Sequence, residues 1–107
     1  MPSVTFEVES EAEPLLVVSR KGAGGAIHET VDLQPAGANK RTGSITVPSG
    51  QTNFLTWIFA GDPGTKYKIT LEPKAKIIMK RSKNPIESSI ATSRPVGSGS
   101  DQFEVTS

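Results

Sequence analysis

One short stretch of the sequence, residues 28–32, contains residue types that hydrolytic zinc sites use. It reads His-Glu-Thr-Val-Asp and begins with the only histidine of the chain, His28. The zinc-binding helix motif requires a second histidine one helical turn away, because both imidazoles must reach the same ion. Apolar residues that alternate with polar ones from Ile27 to Leu33 predict a strand instead, with His28 and Asp32 on its polar face. We therefore expect no metal site, and a small hydrolase that uses His28 is the third of three functional alternatives.

The other catalytic residue types also lack the settings that their chemistry needs. The chain contains no cysteine, which excludes thiol nucleophiles, thiolate metal sites and disulfides. No Gly-x-Ser-x-Gly elbow is present, and the glycine-rich stretches 22–25 and 97–99 do not precede Lys-Ser or Lys-Thr as a phosphate-binding loop would. The alternating glutamates of segment 7–13 are predicted to face water, whereas a general acid needs a desolvated carboxyl group. We expect no catalytic residue and no cofactor.

The composition indicates one small domain without a strong overall charge. The chain has 107 residues, 35% of them hydrophobic, and a formal net charge of +1. Its longest apolar runs fall far short of the roughly 20 residues that span a bilayer, so we expect no membrane insertion. The small net charge and the shortness of the basic run 80–83 argue against nucleic-acid binding. The N-terminal segment has no basic region before an apolar stretch, which predicts a cytoplasmic location unless the chain has been processed.

Short apolar clusters recur about every ten residues, and glycine, proline and serine separate them. This spacing predicts strands joined by turns that are too short for the crossover helices of a parallel sheet. The predicted strands cover residues 4–9, 15–18, 27–33, 45–47, 54–59, 67–71, 75–79 and 103–105. Loops are predicted at 34–42 and, as a mobile Ser/Pro/Gly-rich segment, at about 82–101. The sequence thus predicts a single all-β domain over residues 1–107, a small antiparallel β-sandwich, with a barrel or a jelly roll as alternatives.

The segment Gly61–Ile69 contains the run Pro-Gly-Thr-Lys-Tyr that ends at Tyr67. It resembles the Pro-Gly-Thr-x-Tyr stretch that enters a late strand of fibronectin type III domains, where the tyrosine hydroxyl fixes a corner. The resemblance covers under a tenth of the chain. In that family and in immunoglobulin domains the core tryptophan lies several strands before this tyrosine, whereas Trp57 lies one turn upstream. The resemblance supports an immunoglobulin- or fibronectin-like architecture as one option, without membership of either family.

The predicted strand 54–59 is apolar on both of its sides. Two residues lie on one side and three on the other: Phe54 and Ile58 against Leu55, Trp57 and Phe59. A two-layer sandwich covers only one side, so something further must cover the second. The segment 82–101, a second subunit, or a ligand such as a sugar ring stacked on Trp57 are the alternatives. We expect Leu55, Trp57 and Phe59 to belong to a partner-binding surface.

A second candidate surface comes from lysines in strands 67–71 and 75–79. Apolar residues alternate with polar ones in both strands, which are predicted to form a hairpin with its apolar side in the core. The opposite side would then gather four partner-binding lysines, Lys66, Lys68, Lys76 and Lys80. The acidic segment 7–13 either neutralises them within the molecule or leaves them to face a partner.

Together these features favour a non-enzymatic binding or assembly module that acts through a β-sheet surface. A protein partner or self-association is the expected mode of action. The alternative from another class is a carbohydrate- or lipid-binding module with Trp57 and Tyr67 in the site.

Overall fold

The computed structural model describes residues 1–106, which form ten β-strands and one short 3₁₀ helix. The strands are β1 (Ser3–Ser10), β2 (Glu13–Gly22), β3 (Gly25–Thr30), β4 (Gln34–Gly37), β5 (Lys40–Thr46), β6 (Asn53–Ala60), β7 (Lys66–Glu72), β8 (Ile77–Met79), β9 (Ile86–Ser89) and β10 (Val96–Val105). The 3₁₀ helix, Lys74–Lys76, lies between β7 and β8. The predicted all-β class is confirmed.

The strands form two five-stranded antiparallel sheets. The order is β4-β5-β1-β7-β9 in the first sheet and β3-β2-β6-β10-β8 in the second. Two pairs of consecutive strands, β2–β3 and β4–β5, form hairpins, and the other connections cross from one sheet to the other. The fold is therefore the predicted two-layer sandwich, with β1 and β6 as the central strands of the two sheets.

The hydrophobic core lies between the sheets, where alternate side chains of each strand are buried. On β1 the apolar residues are buried and the polar ones between them are at least partly exposed, as the alternation predicts. Phe6 of the first sheet meets Phe103 of the second edge-on, with ring centroids 6.2 Å apart. Phe59 of the second sheet stacks on Tyr67 of the first at 4.1 Å. These aromatic pairs join the two layers.

Both ends of the described chain lie beside the same turn. The amide of Val47 donates to the carbonyl oxygen of Pro2 at 3.0 Å, and the amide of Gly50 donates to that of Val105 at 2.9 Å. Gly50 has a φ of 72°, a conformation that glycine adopts without a steric penalty. The first strand therefore begins, and the last strand ends, at the same end of the sandwich.

The predicted hairpin between strands 67–71 and 75–79 is wrong. β7 belongs to the first sheet and pairs with β1 and β9, whereas β8 belongs to the second sheet and pairs with β10. Pro73 has no amide hydrogen with which to continue a ladder, and the 3₁₀ helix Lys74–Lys76 carries the chain across the sandwich. Side-chain alternation resumes after such a crossing just as it does after a hairpin turn, so the pattern does not separate the two cases.

The prediction of loops at 82–101 and 34–42 is also wrong in part. The first segment contains β9 and the beginning of β10, and the second contains β4 and the beginning of β5. Ile86 and Ile90 are buried as expected, but Val96 is exposed. Backbone hydrogen bonds hold these serine- and glycine-rich strands in their sheets, and such bonds leave no apolar pattern in the sequence.

Candidate protein-binding surface

The expected contact residues of β6 are in the core. Leu55, Trp57 and Phe59 face the first sheet, and the most exposed of them, Trp57, has only 6% of its surface accessible. The indole Nε1 of Trp57 donates to the hydroxyl of Tyr67 at 3.2 Å. Their prediction as a partner-binding surface is therefore wrong. Because the sandwich can bury only one side of this strand, it buries the side with the larger apolar area.

Gly99 makes room for the Trp57 ring. Gly99 lies directly opposite Trp57 on the neighbouring strand β10. A Cβ atom on this glycine would lie 2.5 Å from Cζ2 of the indole. Trp57 and Tyr67 thus face one another inside the core. The carbohydrate- or lipid-binding alternative requires them to line an open pocket together, and they do not.

The opposite side of β6 is the exposed one. Phe54 is 48% exposed and Ile58 is 38% exposed. Leu15 of β2, which lies opposite Ile58, is 43% exposed, and Val96 at the beginning of β10 is 40% exposed. The segment 82–101 contributes only the beginning of β10 to this sheet, beside β6, while β9 belongs to the first sheet; Leu15, Phe54 and Ile58 stay exposed.

Three cross-strand rows form the middle of this outer side. Strand register gives Leu15–Ile58–Ser98, Val17–Thr56–Ser100 and Ser19–Phe54–Gln102, each row running from β2 through β6 to β10. None of these nine side chains is ionisable. On this side of the three strands, ionisable residues lie only at the ends, namely Glu13, Lys21 and Glu104, whereas Arg20 and Asp101 belong to the opposite side. We call the nine residues, together with Ala60 and Val96, the uncharged face.

The four predicted lysines do not gather on one face. Lys66 and Lys68 lie on β7 in the first sheet, whereas Lys76 belongs to the 3₁₀ helix and Lys80 follows β8 in the second sheet. The expected basic surface is therefore wrong, because its two strands belong to different sheets.

Lys68 belongs to a row of alternating charges on the outer side of the first sheet. Register places Lys68 between Glu9 of β1 and Glu87 of β9, and Lys40 of β5 on the far side of Glu9. A depression of about 1010 Å³ includes part of this row. Adjacent opposite charges stabilise neighbouring strands slightly and leave no concentrated positive field for a polyanion.

His28 is exposed at the border of the uncharged face, on the edge strand β3. Its Nδ1 atom lies 2.7 Å from the hydroxyl of Ser19, a distance that a nucleophile and its base also show. Among the hydrogen bonds of residues 1–106, none joins the imidazole to a carboxylate that would orient it. The same residues contain no group of three His, Asp or Glu side chains that could hold a metal ion.

Asp101 of β10 is a buried carboxylate, only 3% exposed, that binds the chain segment directly after the edge strand β8. It accepts hydrogen bonds from the amides of Ser82 at 2.6 Å, Gln102 at 2.7 Å and Arg81 at 3.0 Å. Burial alone would raise the pKa of Asp101, but these donors together outweigh it and lower the pKa. A carboxylate held ionised in this way fixes the chain after β8 and is not available as a general acid.

No protein-family model, curated protein or solved structure matches this chain. The described residues 1–106 contain no helix with the length and apolar character to cross a bilayer.

Proposed function

We propose that this chain is a non-enzymatic module that binds protein through the uncharged face. The observation that carries the proposal is the set of three adjacent rows without an ionisable side chain, with Leu15, Phe54 and Ile58 exposed among them. Solvent-facing sheet surfaces normally alternate apolar-inward with polar-outward residues, and charged side chains are common on the outward side. Contiguous apolar surface bordered by polar residues is typical of protein interaction sites.

Covering the exposed apolar side chains of this face contributes favourably to association. Leu15, Phe54 and Ile58 each retain roughly two fifths to one half of their accessible surface. Covering the remainder contributes about 1 kcal/mol for each side chain. The serines and threonine between them can lose water at low cost if they find hydrogen-bond partners, whereas a buried ammonium or carboxylate would cost several kcal/mol. A surface of this kind fits another protein better than it fits a charged ligand.

A photocrosslinking experiment tests this function. Benzoylphenylalanine is placed at position 54 on the uncharged face and, as a control, at position 46 on the outer side of the first sheet; both native residues, Phe54 and Thr46, are exposed. The protein is expressed in its native host cells at its natural level and irradiated. We expect protein adducts from position 54 and not from position 46.

The same experiment includes a matched pair of charge variants. Thr56→Lys places an ammonium in the centre of the uncharged face, and Thr46→Lys makes the identical change on the other sheet. Thr56→Lys should abolish the adducts formed from position 54, whereas Thr46→Lys should leave them. An absence of adducts at position 54, or the same adducts from both positions, would contradict the proposed function.

A further inference from the structure

The outer side of the whole second sheet, with the uncharged face in its middle, sets a requirement on what can cover it. Five strands about 4.8 Å apart, with β6 contributing eight residues at about 3.3 Å each, give a sheet face of about 24 by 26 Å, or about 600 Å². A partner with an equal, flat face would remove about 1,200 Å² in total, which is the lower limit for a specific and stable interface. A partner that covers the uncharged face alone, without the flanking strands β3 and β8, would fall below this limit.

A second copy of the chain offers a face of this size and shape. Two sheets stack with their strand directions within about 30° of one another, and a closed pair requires a two-fold axis in the plane of contact. An axis along β6 places Leu15 and Val17 of one copy over Ser98 and Ser100 of the other. Large side chains of one face then lie over small ones of its mate, as interdigitation requires.

The other possible axis runs across the strands, along the row through Thr56. It places Ile58 of one copy over Phe54 of the other, and the strands of the two copies then run in opposite directions. Apolar side chains again meet across the contact, so the face is complementary to itself in both arrangements.

The charges at the ends of the face are also complementary to a second copy. With the axis along β6, Lys21 lies over Glu104 of the second copy. With the axis across the strands, Lys21 lies over Glu13 of the second copy, whose carboxylate also accepts hydrogen bonds from Arg41 of its own chain at 2.9 and 3.2 Å. Neither arrangement opposes two charges of the same sign on β2, β6 and β10. Like charges across a contact would disfavour self-association, and their absence here favours it.

We infer that the protein bound by the uncharged face is a second copy of this chain, packed face to face to form a symmetric dimer. This inference rests on the proposed function and names its partner. The dimer buries the middle rows of both faces, and Lys21 of each copy meets a carboxylate of the other at the border.

Sedimentation equilibrium of the purified chain, over a wide range of protein concentration, tests the inference. The wild type should shift with concentration from the monomer mass of 11.3 kDa towards twice that mass. Thr56→Lys should weaken dimerisation by about a hundredfold or more, because each dimer would bury two unpaired ammonium groups. Thr46→Lys should dimerise like the wild type. Ser100→Lys, on the neighbouring strand, should weaken dimerisation as Thr56→Lys does, and circular dichroism should show that all variants are folded.

A wild type that stays monomeric throughout, or dimers that Thr56→Lys and Thr46→Lys weaken equally, would overturn the inference. The photocrosslinking result separates this failure from failure of the proposed function. Adducts from position 54 to a different protein, together with a monomeric purified chain, would refute the second copy as partner and leave the binding face in place. An absence of adducts together with a monomeric chain would refute both.

Discussion

Gly99→Ala tests whether the core packs around Trp57 as described. The added Cβ would lie 2.5 Å from Cζ2 and 2.7 Å from Cε2 of the indole. An ordinary contact needs about 3.5 Å or more, so the ring or the strand must move by about 1 Å. Both residues lie on strands that are paired on each side, β6 with β2 and β10, and β10 with β6 and β8. The indole is therefore the part that must give way.

The cost can be estimated from these contacts. Overpacking a well-filled core by one methyl group costs about 1–3 kcal/mol. Displacing the indole also weakens the hydrogen bond from Trp57 to Tyr67, which is worth about 1 kcal/mol. Replacing a strand glycine by alanine returns about 0.5–1 kcal/mol of backbone entropy. We expect Gly99→Ala to lower the free energy of unfolding by about 2 kcal/mol.

Urea denaturation followed by circular dichroism measures this change. A loss of about 2 kcal/mol lowers the midpoint by about 1–2 M urea for a domain of this size. Gly24→Ala serves as the control, because a Cβ at Gly24 meets nothing within 4 Å and its φ is not positive. In a Trp57→Phe background the cost of Gly99→Ala should fall, since the smaller ring leaves space. An equal cost in both backgrounds would refute the packing argument.

Two further predictions concern charged groups. Asp101→Asn should destabilise the fold at neutral pH by about 2 kcal/mol or more, since its amide group would oppose the donors of Arg81 and Ser82. Folding lowers the pKa of Asp101, so the stability that this carboxylate contributes is complete above its unfolded pKa and is lost as the pH falls through its folded pKa. The difference in urea midpoint between the wild type and Asp101→Asn should therefore shrink in acid. An unchanged difference would contradict this. Replacing both Lys66 and Lys68 by Gln should leave the dimerisation constant unchanged, because both lysines lie on the first sheet. Sedimentation equilibrium at low and high salt measures the dimerisation constant of the double variant. A weaker dimer in this variant would indicate that the contact involves the first sheet and not the second.

Strand alternation made much of the sandwich predictable. The pattern from Val4 to Val8 identifies β1 and its buried side, because each second residue of a strand points to the same face. The same rule identifies the buried side of β7. It does not say which strands are neighbours, and for this reason two strands of different sheets were predicted to form a hairpin.

The candidate site was harder to predict, because β6 is apolar on both sides. Periodicity separates Phe54 and Ile58 from Leu55, Trp57 and Phe59, but both sets look equally suited to a core. Another part of the uncharged face comes from Ser98 and Ser100, in a stretch whose small polar residues are typical of a loop. Only the register of β10 against β6 brings these serines beside Ile58 and Thr56.

The meeting of both chain ends at the turn around residues 47–50 has a consequence for how this domain can be combined with others. Chain ends that lie side by side allow a domain to be inserted into a surface loop of a host protein with short linkers, without separating the attachment points. They also allow the ends to be joined and new ends to be opened elsewhere, for example in the β2–β3 hairpin at Ala23–Gly24. Because the uncharged face lies on the broad side of the second sheet and not at this end, a fusion made there leaves that face accessible.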